Sequence, residues 1–158
     1  MPQVFSLPGG EALATVLPRL LPAAIAWAGQ AAAAGAAEGL PLDESGRALA
    51  ARVGVRDAAR VRVHEVDAMP APPGDLGRIA EALQFLGPGT QGLTLDHTVF
   101  ILRGRLSREL LAHELRHVHQ VEVAGSLAAF LAEYLRQFAG VGYWNAPYEV
   151  DARAHEGG

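Results

Sequence analysis

The chain has no cysteine and no lysine, and only 6% of its residues are aromatic. Without cysteine there is no disulfide scaffold, no thiolate-ligated metal site and no thiol nucleophile. That leaves six histidines and seventeen carboxylates to bind a metal or move protons. All positive charge comes from arginine, and the net charge is -4. A basic surface for nonspecific nucleic-acid binding is therefore excluded. A chain that is 50% apolar and 19% charged folds as a globule. Its 158 residues suffice for one core but not for two full domains.

About a fifth of the residues are alanine, concentrated near the N-terminus. The run 20–37 carries no charge and reads as a buried or paired helix anchored by Trp27. Its length just reaches a membrane span, but the Ala/Gly content is weakly hydrophobic and Pro22 interrupts it. No basic stretch opens the chain as in a signal peptide. A cytoplasmic protein is expected, with membrane contact through residues 20–37 as the alternative.

Further along, Leu42–Val53 reads as a helix ending at Gly54, and Val61–Val66 as a strand. Asp75 is positioned to cap a helix to about Leu86, before Gly87-Pro88-Gly89. Thr94–Leu102 reads as a second strand with a turn at Arg103-Gly104-Arg105. Ser107 and Ser126 are N-cap residues for helices to about Val123 and Ala139. Gly142–Asn145 reads as a loop, and Pro147 opens a last helix to about Glu156.

The segment His113-Glu114-Leu115-Arg116-His117 places two histidines four residues apart. On a helix they lie about 40° apart around the axis and can share one zinc ion. Glu114, beside that face, can take a proton from water activated by the metal. On the helical wheel Leu110, Leu111, Leu115, Val118 and Val121 form the apolar arc. Glu114 falls inside this arc, and the two histidines fall on its border. Arg108, Glu109, Arg116, His119 and Gln120 take the opposite, wet face. A carboxylate in a core stripe is costly without a partner, and a metal site accounts for it.

A catalytic zinc takes three protein ligands and keeps one position open. The metzincin pattern needs a histidine at position 123, where the chain has Val123. The third ligand is then a downstream carboxylate or histidine. Glu122 and His119 turn away on the motif helix, and Glu133 sits on the polar side of the next one. Glu149, Asp151, His155 and Glu156 of the last helix remain. Glu149 and Asp151 are about 200° apart, so they cannot both face one metal.

His113–His117, followed by a helix pair and Asn145-Ala146-Pro147-Tyr148-Glu149-Val150-Asp151-Ala152-Arg153, resembles small bacterial gluzincin-type proteins. It is similar to zincin-like domains with the motif LLAHELxHVxQ, matched here by Leu110–Gln120. The likeness spans about Val61 to Glu156, leaving residues 1–55 outside it. It implies Glu149 as third ligand, with Asp151 orienting a ligand histidine.

The expected fold is α+β and zincin-like: a small twisted sheet packed on the motif helix and further C-terminal helices. Residues 1–55 are expected as an Ala-rich helical segment, and residues 56–158 as a zincin-like metallopeptidase domain, together one compact unit. The expected function is zinc-dependent hydrolysis of a peptide or protein substrate. His113, His117 and Glu149 hold Zn²⁺, Glu114 acts as base, and Tyr143, Tyr148 or His155 steadies the oxyanion. The strand His97–Leu102 is either a sheet edge that pairs with substrate or a core strand supplying Val99 and Ile101. The rival reading is a non-catalytic zincin-like binding module whose zinc is structural or vestigial.

Overall fold

The computed structural model describes residues 10–82 and 89–157. Along them run α1 (Gly10–Glu38), β1 (Leu40–Pro41), α2 (Glu44–Arg52), β2 (Arg62–Val66), α3 (Gly74–Ala82), β3 (Gly92–Leu95), β4 (Thr98–Leu102), α4 (Arg108–Ala124), α5 (Leu127–Asn145) and α6 (Pro147–Ala154). The fold of the described residues is thus α+β, with six helices and a four-stranded mixed sheet ordered β1-β2-β4-β3. β2 and β4 are parallel, while β1 and β3 run antiparallel to their neighbours.

Side-chain alternation along β4 divides the core into two layers. Val99 and Ile101 pack with Val53 and Val61 against Ala112, Leu115 and Val118 of α4. Phe100 points the other way, into a layer with Ala24, Ala28 and Ala32 of α1 and Leu131 of α5. Val99, Ile101, Leu115 and Val118 are fully buried, and each such side chain contributes about 1.5–3 kcal/mol by leaving water.

The alanine content of α1 has a steric reason. Ala24, Ala28 and Ala32, spaced by four, form its buried stripe. A Cβ at Gly35 would lie 2.4 Å from Phe100 Cζ, so glycine is what lets the helix cross the sheet there. Thr98 Oγ1 also donates to the Ala32 carbonyl at 2.8 Å. Among the described residues, one helix, Ala14–Glu38, is long and apolar enough to cross a membrane by length and composition. Here it packs against α5 and the sheet.

Three expectations are corrected. Thr94–Leu102 is not one strand but the hairpin β3–β4, turned at Asp96 and His97, with Asp96 at φ 57°. Aspartate tolerates this left-handed region, so no glycine marks the turn. Of the two readings given for His97–Leu102, the core strand supplying Val99 and Ile101 holds, and the edge beside the motif helix is β3. α3 begins at Gly74, so Asp75 lies in its first turn rather than capping it. Its expected extension to Leu86, with the stop at Gly87 and Pro88, lies outside the described residues. Finally, 142–145 is not a loop: α5 continues to Asn145 across a kink at Gly142.

Candidate metal centre

Two caps fix the helix that carries the motif. Ser107 Oγ accepts from Leu110 N at 3.1 Å, and α4 ends at Gly125 with φ 97°. Between them His113 and His117 stand one turn apart, ring centroids separated by 4.9 Å. Pro147 opens α6 and places Glu149 in its first turn, facing both rings. Glu149 Oε1 lies 3.0 Å from His113 Nε2, and Oε2 lies 3.2 Å from His117 Nε2. The two Nε2 atoms are 3.2 Å apart. All three residues are buried, and among the described residues they form the one group of three or more placed to hold a metal ion.

The outer nitrogens settle which atoms are free to bind. Gln120 donates its amide nitrogen to the Tyr148 carbonyl at 2.9 Å and to Asp151 Oδ2 at 2.8 Å. Both partners only accept, so the amide orientation is fixed. Gln120 Oε1 is therefore the atom 2.7 Å from His117 Nδ1, and that nitrogen must carry the hydrogen. His113 Nδ1 likewise donates to Glu156 Oε1 at 2.7 Å. In the neutral rings both Nε2 lone pairs then point at each other and at a carboxylate. Three ligand atoms therefore converge on one point, where protons or a metal cation can bridge them. Donors 2.0–2.1 Å from a tetrahedral zinc lie about 3.3–3.4 Å apart, close to the separations observed. The three residues are therefore placed to hold a metal ion.

Burial and charge act against each other here. Burial opposes protonation of His117, but Glu149 and Glu114 outweigh it and push its pKa up to about 9. His113 is raised on the same balance. Burial would also raise Glu149, yet hydrogen bonds from His113, His117 and Tyr134 hold it far below the usual carboxylate range. Tyr134 donates to Glu149 Oε2 at 2.8 Å.

Glu114 is buried at 4% exposure beside β3. Gly92 and Thr94 pair with Ile101 and Val99, so they share the sheet face that meets α4. Thr94 Oγ1 lies 2.6 Å from Glu114 Oε2 and 3.0 Å from the Glu114 carbonyl. A Cβ on Gly92 would come within 2.6 Å of Glu114 Oε1. The edge strand thus holds one carboxylate oxygen and leaves room for the other.

A cavity of about 860 Å³ opens onto this centre and is lined by His113, Glu114, His117, Glu149 and Tyr143. Tyr148 and His155 do not line it. Tyr148 stacks on Phe130 at 4.9 Å, and His155 Nδ1 donates to the Asp151 carbonyl at 2.7 Å. Asp151 does not touch a ligand histidine either. It receives Arg116 at 2.8 Å and Gln120, and bears on His117 through Gln120. Gln120 is accordingly buried, not on a wet face, because α6 packs over that side of α4.

The other motif-helix residues have separate duties. His119 Nδ1 donates to the Gly54 carbonyl at 2.8 Å and is half-buried. Glu122 accepts from Arg56 N at 2.8 Å and Asp57 N at 2.9 Å, and faces His97 Nε2 at 3.2 Å. Glu133 pairs with Arg136.

Glu156, weighed from sequence only as a third ligand, instead holds His113. Gln120 and Tyr134 were missed as partners of the site. Gln120 stands three positions after His117, a spacing that brings helix side chains together and could have identified it. Thr94 and Gly92 carry no local signal, since only the hairpin brings them to Glu114. No family model matches the chain, and neither a curated protein nor a solved structure matches it.

Proposed function

We propose that this chain is a zinc-dependent peptidase with a zincin-like arrangement. The observation that carries the reading is the convergence of three buried ligand atoms, from His113, His117 and Glu149, beside a second buried carboxylate, Glu114, on one cavity. His113, His117 and Glu149 would hold the zinc, which would supply Lewis acidity toward water and toward a substrate carbonyl. A zinc held by these three side chains would still be able to take water or substrate, as catalytic rather than structural sites do.

Glu114 accepts the proton of the attacking water and passes it to the leaving amine. Oε1 is the oxygen suited to this, because Oε2 is engaged by Thr94. β3, at the sheet edge, offers backbone groups to an extended peptide. Of the three side chains considered for the oxyanion, Tyr143 is the one on the cavity wall. Burial, then Glu149 and Glu114, raise its pKa, so it keeps its proton and can donate.

The test is metal analysis after reconstitution, joined to a peptide-library digest of wild type and Glu114→Gln. About one zinc per chain is expected, removable by chelator. Glu114→Gln keeps zinc and loses hydrolysis by about 10²–10⁴-fold, while His119→Ala retains both. A chain that takes up no zinc at neutral pH overturns the reading. Zinc without cleavage favours the non-catalytic binding module.

A further inference from the structure

The cavity at the metal centre is chemically divided. His113, His117 and Glu149 stand together on its lining, while Trp27 of α1, Leu76 of α3 and Leu131 of α5, which pack in one apolar cluster, line it elsewhere, with Leu20 and Ile79 also on the wall. A volume of about 860 Å³ is in the range of sites that enclose a whole ligand segment. One wall runs from Gln91 to Leu95, so the backbone of edge strand β3 borders the space. Backbone donors and acceptors along an edge match an extended peptide, whereas an acyl chain offers them nothing.

We propose that this cavity selects peptides bearing a bulky apolar side chain, of leucine or phenylalanine size, beside the bond presented to the metal. α1 then acts as a specificity wall. Its Leu20 and Trp27 line the space and give that wall its apolar character. The placement of the scissile bond rests on the peptidase reading; the apolar selectivity rests on the cavity itself.

Both of the chain's tryptophans, Trp27 and Trp144, lie on the cavity wall, so intrinsic fluorescence reports its occupancy. The experiment titrates Glu114→Gln protein, with and without zinc, with two blocked hexapeptides that differ only in a central Phe-Leu or Ser-Ser pair. Dodecanoate is titrated in parallel. The Phe-Leu peptide is expected to bind about 10–100-fold more tightly, the gain from burying one such side chain. Leu20→Asp and Leu76→Asp, on two different helices, are each expected to remove that preference while zinc uptake stays unchanged. Equal binding of the two peptides overturns the proposal, as does a preference that survives both variants. Tight dodecanoate binding without peptide binding also overturns it. A clear preference with no cleavage by the wild type supports the cavity proposal and removes the peptidase reading instead.

Discussion

Thr94 Oγ1 and Glu114 Oε2 are 2.6 Å apart, both buried, and they join the edge strand to the motif helix. This contact makes it possible for a carboxylate to sit in a core stripe. A buried acceptor deprived of its partner costs about 1–3 kcal/mol. Thr94→Val removes the donor and keeps the shape, so Glu114 loses its fixed orientation. Turnover is expected to fall about 10–100-fold, with zinc content unchanged. Thr94→Ser restores the hydroxyl and most of the rate. If Thr94→Val works normally, the hydroxyl has no positioning role.

Gly92 supports the same group by having no side chain. With Ala at position 92 the new Cβ meets Glu114 Oε1 at 2.6 Å, so the carboxylate must move. The variant is expected to bind zinc with near wild-type affinity and to hydrolyse peptide poorly. Zinc titration beside a rate assay separates these effects. Loss of zinc would mean that the displacement reaches His113 and His117.

Ligand and supporting roles predict a ranking of zinc affinities. Glu149→Ala removes an inner ligand and is expected to lower affinity most. Gln120→Ala releases His117 Nδ1, and Glu156→Ala releases His113 Nδ1. Each is expected to weaken binding by about 10–100-fold. Asp151→Ala acts one step further out, through Gln120, and should cost less than Gln120→Ala. Competition with a chromophoric chelator measures all four. An order with Asp151→Ala above Glu149→Ala would reverse the assignment.

Protons compete with the metal at this centre. The pKa of His117 is pushed up to about 9 by Glu149 and Glu114 against its burial, so His117 of the metal-free site holds a proton at pH 7, and the pKa of His113 is shifted in the same direction. The stabilisation tied to these raised values is full below the unfolded pKa of about 6.5. It is lost as pH rises toward 9. Zinc binding must release protons, so affinity climbs between pH 7 and 9, by about tenfold per unit for each proton displaced. Calorimetry in two buffers of different ionisation enthalpy counts those protons. Release of none at pH 7 would contradict the charge state argued here.

The motif helix was legible in sequence because its signals are local. Ser107, Gly125 and the 3.6-residue period fix its ends and its buried face, Glu114 included. The hairpin was not legible. Asp96 adopts a positive φ without a glycine, and both flanking segments are rich in apolar and β-branched residues, so one strand and two look alike. That single turn makes β4 an interior strand and brings Thr94 to Glu114. Gln120 was misassigned for a related reason. Helical phase marks a wet face only where no neighbour covers it, and α6 covers that side of α4.

The kink in α5 offers a test of how the cavity mouth is held. Gly142 has φ 78° and ψ 173°, a region essentially restricted to glycine. The next residues, Tyr143 and Trp144, line the cavity. The Arg153 guanidinium lies 4.0 Å over the Trp144 ring, and Arg153 also donates to the Trp144 carbonyl. An alanine at position 142 must abandon that conformation or accept about 1–3 kcal/mol of strain. Either response shifts Tyr143 and Trp144 relative to the metal ligands, none of which lies on α5. Gly142→Ala is therefore expected to lower the melting temperature, alter tryptophan emission and reduce turnover, while zinc affinity stays within about threefold. A variant with wild-type melting, emission and turnover would show that the kink does not set the cavity mouth.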